Sequence, residues 1–299
     1  MQTPPYLKAG DRIAVAAPAR SISREELQPA LEMFQGWALE VETGPDLFKV
    51  QNQFSGSDET RKRDFQRKLD DPEIKAIFCA RGGYGSVKII DRLDFSKFKQ
   101  NPKWIVGYSD ITVFHSHINK NLGIETLHAE MPFKYGKKEV SAESLESLRK
   151  ALFGEKLEYR AKAHSFNRNG IAKGILTGGN LSMLYSLCGS ASDINTKNKI
   201  LFIEDLDEYL YHIDRMMMNL KRSGKLDQLA GMIVGGMSDM NDNMIPFGKT
   251  AEEIIRDEIA EYDFPVCFDF PAGHSRKNLA LVMGGEVELE VSDRVSLSF

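Results

Sequence analysis

The chain has 299 residues, 42% hydrophobic and 27% charged, with a formal net charge of -4. These proportions suit a soluble globular protein of one large or two ordinary domains. No basic block favours nucleic acid, no run is long enough to span a bilayer, and Met1 to Asp11 lacks the apolar core of a signal peptide. A cytoplasmic protein with no nucleic-acid or membrane partner is therefore expected.

In chain order, Arg12 to Ala17 reads as a buried strand stopped by Pro18, and Glu25 to Trp37 as a helix with Leu27, Leu31 and Phe34 on one side. Trp37 to Val41 reads as a second strand. Asp58 to Leu69 carries charges of both signs with only Phe65 and Leu69 as anchors, which predicts a solvated helix ended by Asp71-Pro72. Ile74 to Ala80 is a third strand, Tyr84 to Leu93 a helix, Trp104 to Val106 a fourth strand and Ile124 to His128 a fifth. This alternation predicts a doubly wound, mostly parallel sheet of flavodoxin or Rossmann type over residues 1–150, with a surface helix from Ser141 to Phe153 at its end.

The pattern weakens over 151–169, taken as a linker region, and resumes over 170–299. Gly170 to Leu176 reads as a strand, Thr177 to Asn180 as a polar turn, and Leu181 to Cys188 as a helix. Strands follow at Ile200 to Ile203, Met232 to Gly236, Pro265 to Phe270 and Ala280 to Met283. Tyr209 to Arg222 is an amphipathic helix, in which Met216 to Met218 read as core filler. Glu286 to Phe299 alternates with period two, as a hairpin does. This half is expected to be a mixed α/β domain with a swivelled or barrel-like sheet.

Candidate chemistry sits where strands end, since open α/β sheets bind ligands outside their carboxyl edges. Gly107-Tyr108-Ser109-Asp110 follows a short apolar strand and precedes Ile111, Phe114 and Ile118 at helical spacing. This is a strand, a sharp turn and a helix with a serine at the tip: a nucleophile elbow or a helix cap. Arg81-Gly82-Gly83-Tyr84-Gly85-Ser86 offers outward backbone N–H groups for an anion. It lacks the lysine of a P-loop and the GxGxxG spacing, so a bare tight turn and an oxyanion hole stand beside the nucleotide reading.

Glu204 heads a run of acids directly after a bulky apolar strand. His274 follows Gly273 in a loop between strands, where a general base would suit. His115 and His117 lie too far along their helix to reach Ser109. His128 ends a neighbouring strand and competes with His274. His164 and His212 show no carboxylate geometry. Cys79, Cys188 and Cys267 are scattered, without CxxC or zinc spacing; they read as reduced, mostly buried thiols rather than ligands. Ser109, Glu204 and His274 then supply nucleophile, orienting acid and base, but without the Gly-x-Ser-x-Gly frame of α/β-hydrolases.

Over nearly its full length the chain resembles the LD-carboxypeptidases, serine peptidases of bacterial murein recycling, and the related microcin-C-resistance peptidases. The resemblance rests on Gly10-Asp11-Arg12-Ile13, the Arg81 to Gly85 loop, Gly107 to Thr112, Thr177 to Leu181, Ile203-Glu204-Asp205, Tyr211 with Ile213-Asp214-Arg215, and Gly273-His274. It implies Ser109 as nucleophile, His274 as base and Glu204 as its acid, with backbone N–H groups of Gly83 and Asp110 as oxyanion hole. It further implies release of the terminal D-alanine from murein tetrapeptide and a homodimer; no cofactor or metal is expected. Arg81 is the expected partner of the substrate's terminal carboxylate. Ala17-Pro18-Ala19 departs from the family, where a serine often follows the proline, and so does Ala280 to Met283, where a proline is common. A microcin-type acyl-adenylate-cleaving peptidase and a non-enzymatic anion-binding module are the alternatives.

Overall fold

The structure is a computed structural model that describes all 299 residues. Its first part runs β1 (Arg12–Ala16), α1 (Arg24–Gly36), β2 (Glu40–Glu42), α2 (Asp58–Asp70), β3 (Ile74–Cys79), α3 (Ser96–Gln100), β4 (Trp104–Gly107), α4 (Thr112–Leu122), β5 (Thr126–His128) and α5 (Ala142–Phe153). The second runs β6 (Glu158–Lys162), β7 (Gly170–Asn180), α6 (Leu181–Leu187), β8 (Lys199–Leu206), α7 (Leu210–Arg222), β9 (Gly231–Ser238), α8 (Ala251–Glu258), β10 (Val266–Cys267), β11 (Leu281–Met283), β12 (Glu286–Val291) and β13 (Arg294–Ser298).

Two mixed sheets result. The first has the order β11-β5-β4-β3-β1-β2, with β1 to β5 all parallel. Its apolar strands are buried on both faces, as a helix-covered parallel sheet requires. The order 2-1-3-4-5 is that of flavodoxin-like sheets, so the doubly wound expectation holds. The winding reverses between β1 and β3, and a ligand crevice belongs there. The second sheet has the order β10-β9-β8-β7-β12-β13-β6, parallel from β7 to β10 and antiparallel beyond β7.

β11 leaves the second half of the chain and pairs antiparallel with β5 in the first sheet. One apolar cluster of 40 buried residues accordingly draws from both halves, including Leu127, Tyr135 and Leu148 with Leu176, Phe202 and Leu281. The stretch expected to be linker contains β6, paired with β13.

Several elements differ from expectation for physical reasons. Tyr84 to Leu93 is not an α-helix but two 3-10 turns, Ser86–Lys88 and Ile90–Arg92. The loop's polar groups are claimed from outside: Asp110 accepts the Ser86 N–H at 2.9 Å, and buried Arg61 donates to the Gly85 carbonyl at 3.0 Å. Helix α2 is less solvated than its charge suggests, because Arg61, Asp64 and Lys68 are buried with Phe65 and Leu69. Lys68 is paired with Asp64 one turn earlier, which makes its burial tolerable.

Thr177 to Asn180 is not a turn. β7 runs through it in parallel register with β8 as far as Asn180↔Glu204. The Asn180 N–H donates to Thr112 Oγ1 at 3.0 Å, tying this strand to the start of α4. Pro265 to Phe270 contributes only the two residues of β10. Helix α8 was not anticipated, although Thr250 and Glu253 form a capping box at its start.

Candidate active site

Ser109 stands at a sharp corner. β4 ends at Gly107, and Ser109 takes φ of 64° before a short 3-10 turn opens into α4. A left-handed conformation is uncommon for a residue other than glycine, and such strain clusters at functional corners. Asp110 does not use its side chain as a helix cap. Its carboxyl group is 1% exposed and holds the Ser86 N–H of the glycine loop; burial raises its pKa, partly opposed by those hydrogen bonds. The loop is thereby pulled against the elbow: a side-chain carbon on Gly82 would come within 3.3 Å of Ser109 Oγ.

Glu204 lies inside β8, fully buried, where the register with β9 slips. Gly235 and Gly236 together oppose this one residue, a β-bulge that re-aims its side chain. Its carboxylate meets the His274 loop. Oε2 accepts from the His274 backbone N–H at 3.1 Å and lies 2.6 Å from His274 Nδ1. Gly273 has φ of 99°, and any side chain there would strike Glu204, with Oε2 only 2.7 Å from the Cβ position. A glycine is therefore required beside the histidine. A carboxylate can only accept, so Nδ1 carries the hydrogen and Nε2 is left as the basic nitrogen.

Burial pushes the His274 pKa down, but the adjacent Glu204 charge and hydrogen bond outweigh it and the net shift is upward. Burial likewise raises that of Glu204, and His274 with His128 draws it below the ordinary carboxylate value. The directions agree, as they must for one shared bond.

Ser109 and His274 open onto one cavity of about 880 Å³, and Gly82, Gly83 and Arg81 line it too. The Tyr108 ring lies 4.8 Å from the His274 ring and carries the Lys134 ammonium 5.3 Å from its centroid. Serine, glycine loop, glutamate and histidine, scattered in sequence, thus converge. The other histidines do not join them. His115 is a core residue bonded to the Gly107 carbonyl and Thr126, its pKa pushed down to about 3 by burial. His128 is fully buried beneath the site, edge-on to Phe202, and burial lowers its pKa to about 4. His212, expected to lack a carboxylate, lies 2.6 Å from Glu208 because four residues separate them at a helix start, away from the cavity. Asp205 bonds Asn180 and the Ser182 N–H, so this acid run does not act as one group.

Two family models cover most of the chain: the LD-carboxypeptidase N-terminal domain matches residues 13–129 and the LD-carboxypeptidase C-terminal domain residues 173–289. The chain belongs to the LD-carboxypeptidase family. A probable murein peptide carboxypeptidase of Bacillus subtilis is 32% identical across 98% of this chain and 93% of its own length. The crystal structure of muramoyltetrapeptide carboxypeptidase from Oxalobacter formigenes superposes with a TM-score of 0.87 at 27% identity, over 96% of this chain and 98% of that one. An MccF-like protein from Bacillus anthracis shares the fold at 24% identity, with a TM-score of 0.87 over 100% and 99% of the two chains. The chain is thus a peptidase of the LD-carboxypeptidase family on a two-sheet α/β scaffold.

Sequence reasoning missed two groups at this site. Arg20 follows β1 and lines the cavity. Asn278, fully buried, accepts the Gly273 N–H at 2.8 Å, while its own N–H donates to Ser144 Oγ at 2.9 Å. Neither sits in a motif with chemistry of its own. Only the closing of β1 against β3 and of α5 against the His274 loop reveals them.

Proposed function

We propose that this LD-carboxypeptidase family member is a serine carboxypeptidase that removes the terminal D-alanine from murein tetrapeptide in cell-wall recycling, with Ser109, His274 and Glu204 as its triad. The single observation that carries the reading is the Glu204–His274 hydrogen bond of 2.6 Å beside a cavity shared with Ser109. His274 Nε2 accepts the Ser109 proton as Oγ attacks the carbonyl carbon of the scissile bond. The backbone N–H groups of Gly83 and Asp110 receive the developing oxyanion, each such donor contributing about 3–4 kcal/mol. His274 passes the proton to the leaving amine, D-alanine departs, and a water activated by the same imidazole hydrolyses the acyl-serine.

The same cavity argues against an adenylate as substrate. Stacking of a nucleobase wants a free aromatic face, but of the aromatic residues lining this cavity Phe133 carries Arg81 at 4.8 Å and Lys137 at 5.1 Å, and Tyr108 is buried against His274 with Lys134 over its ring. Free D-alanine released from murein tetrapeptide is the direct assay, with aspartyl sulfamoyl adenosine run in parallel. Release of D-alanine by wild type and its loss in Ser109→Ala are expected. Cleavage of the adenosine compound alone, or undiminished release by Ser109→Ala, would overturn the reading.

A further inference from the structure

A carboxypeptidase must recognise a free carboxylate one residue beyond the bond that it cuts. Arg81 is the cation that the glycine loop itself suggests, but its guanidinium is already engaged, 3.2 Å from Glu26 and stacked on Phe133. Arg20 is not. No acidic oxygen lies within 4.0 Å of it, and its side chain makes no hydrogen bond.

Its position is fixed from two sides. The Arg20 backbone N–H donates to the Gly82 carbonyl at 3.4 Å, and the residue bridges to Phe54. Its aliphatic stem lies directly on Gly83: a side-chain carbon at Gly83 would come within 2.2 Å of Arg20 Cδ. Gly83 has φ of 101°, so glycine here both permits the backbone turn and leaves room for the arginine. The path from nucleophile to cation is therefore short: a side-chain carbon at Gly82 would meet Ser109, and one at Gly83 would meet Arg20. The loop after β1 and the loop after β3 flank the point where the winding of the sheet reverses, which is where the crevice of such a sheet forms.

We propose that Arg20, rather than Arg81, binds the terminal carboxylate of the leaving residue and so restricts the enzyme to free C-termini. The proposal rests on the carboxypeptidase reading above. A planar guanidinium presents two parallel donors to a carboxylate, a match that an ammonium such as Lys134 or Lys138 lacks. Arg20 is exposed and engages no other side chain in an ion pair, so its replacement is expected to leave the fold undisturbed.

Arg276 also lines the cavity, so the test compares wild type, Arg20→Gln, Arg20→Lys, Arg81→Gln and Arg276→Gln on murein tetrapeptide and on the same peptide with a C-terminal amide. Arg20→Gln is expected to raise KM for the free acid roughly tenfold to a hundredfold, leave kcat nearly unchanged, and abolish the preference for acid over amide. Arg20→Lys should recover part of that preference. An unchanged KM and acid-to-amide ratio in Arg20→Gln would overturn the proposal while leaving the carboxypeptidase reading intact. So would loss of the preference in Arg276→Gln or Arg81→Gln alone. Absence of D-alanine release by wild type would instead defeat that reading and this proposal with it.

Discussion

Glu204 and His274 determine each other's charge, and this has a measurable sign. The folded-state pKa of His274 is raised above its ordinary 6.5, with the Glu204 carboxylate outweighing burial. Its contribution to stability is therefore fully present below about 6.5 and is lost as the pH rises through the folded value. Glu204 is lowered below 4.5, so its contribution is present above that value and is lost as the pH falls through the folded one. As the proposed base, His274 would work only when neutral. The kcat/KM profile of wild type should thus rise through an apparent pKa above 6.5. In Glu204→Gln burial is no longer countered, so the inflection should move down while kcat falls about a thousandfold to ten-thousandfold. An unmoved inflection would show that Glu204 does not govern the imidazole. At this scale the chain marked the corner and the loop: Ser109 lies just past the end of β4 and His274 in the loop between β10 and β11, whereas Glu204 is buried inside β8 at a bulge that its apolar run does not announce. It could not rank Arg20 against Arg81, because the engagement of Arg81 with Glu26 bridges 55 positions of chain.

The His274 loop is an element that depends on neighbours for its shape. Asn278 Oδ1 holds the Gly273 N–H, and the Asn278 backbone is in turn held by Ser144 on α5. Asn278→Leu removes that acceptor and leaves a buried N–H unpaired, a cost of about 1–3 kcal/mol. A lower Tm, a reduced kcat and a KM little changed are expected. Unaltered kcat would mean that the loop keeps its shape without this clamp. Elements with clear periodicity or apolar runs, such as α1, α7 and β12 with β13, were readable from the chain. Elements whose form is imposed from outside were not. Tyr84 to Leu93 reads as a helix until Arg61 and Asp110 are seen to claim the backbone at its start, and the Thr177 to Asn180 segment reads as a turn until β8 and α4 are beside it.

At the scale of the whole molecule, the site exists because two sheets share one core. β11 returns to the first sheet, and the apolar cluster that spans both halves sets β4 against β8 and the His274 loop. A three-residue strand carries too little pattern to announce such a crossing. The central claim is that a hydroxyl from one half and an imidazole and carboxylate from the other act as one chemical unit. Turnover of murein tetrapeptide by Ser109→Ala, His274→Ala and the double variant, each checked for native circular dichroism, tests this most directly. Members of one unit lose activity non-additively. The account expects each single variant to lose at least about a thousandfold in kcat and the double variant to be no slower than the worse single. Losses that multiply, or a Ser109→Ala enzyme within about tenfold of wild type, would contradict it.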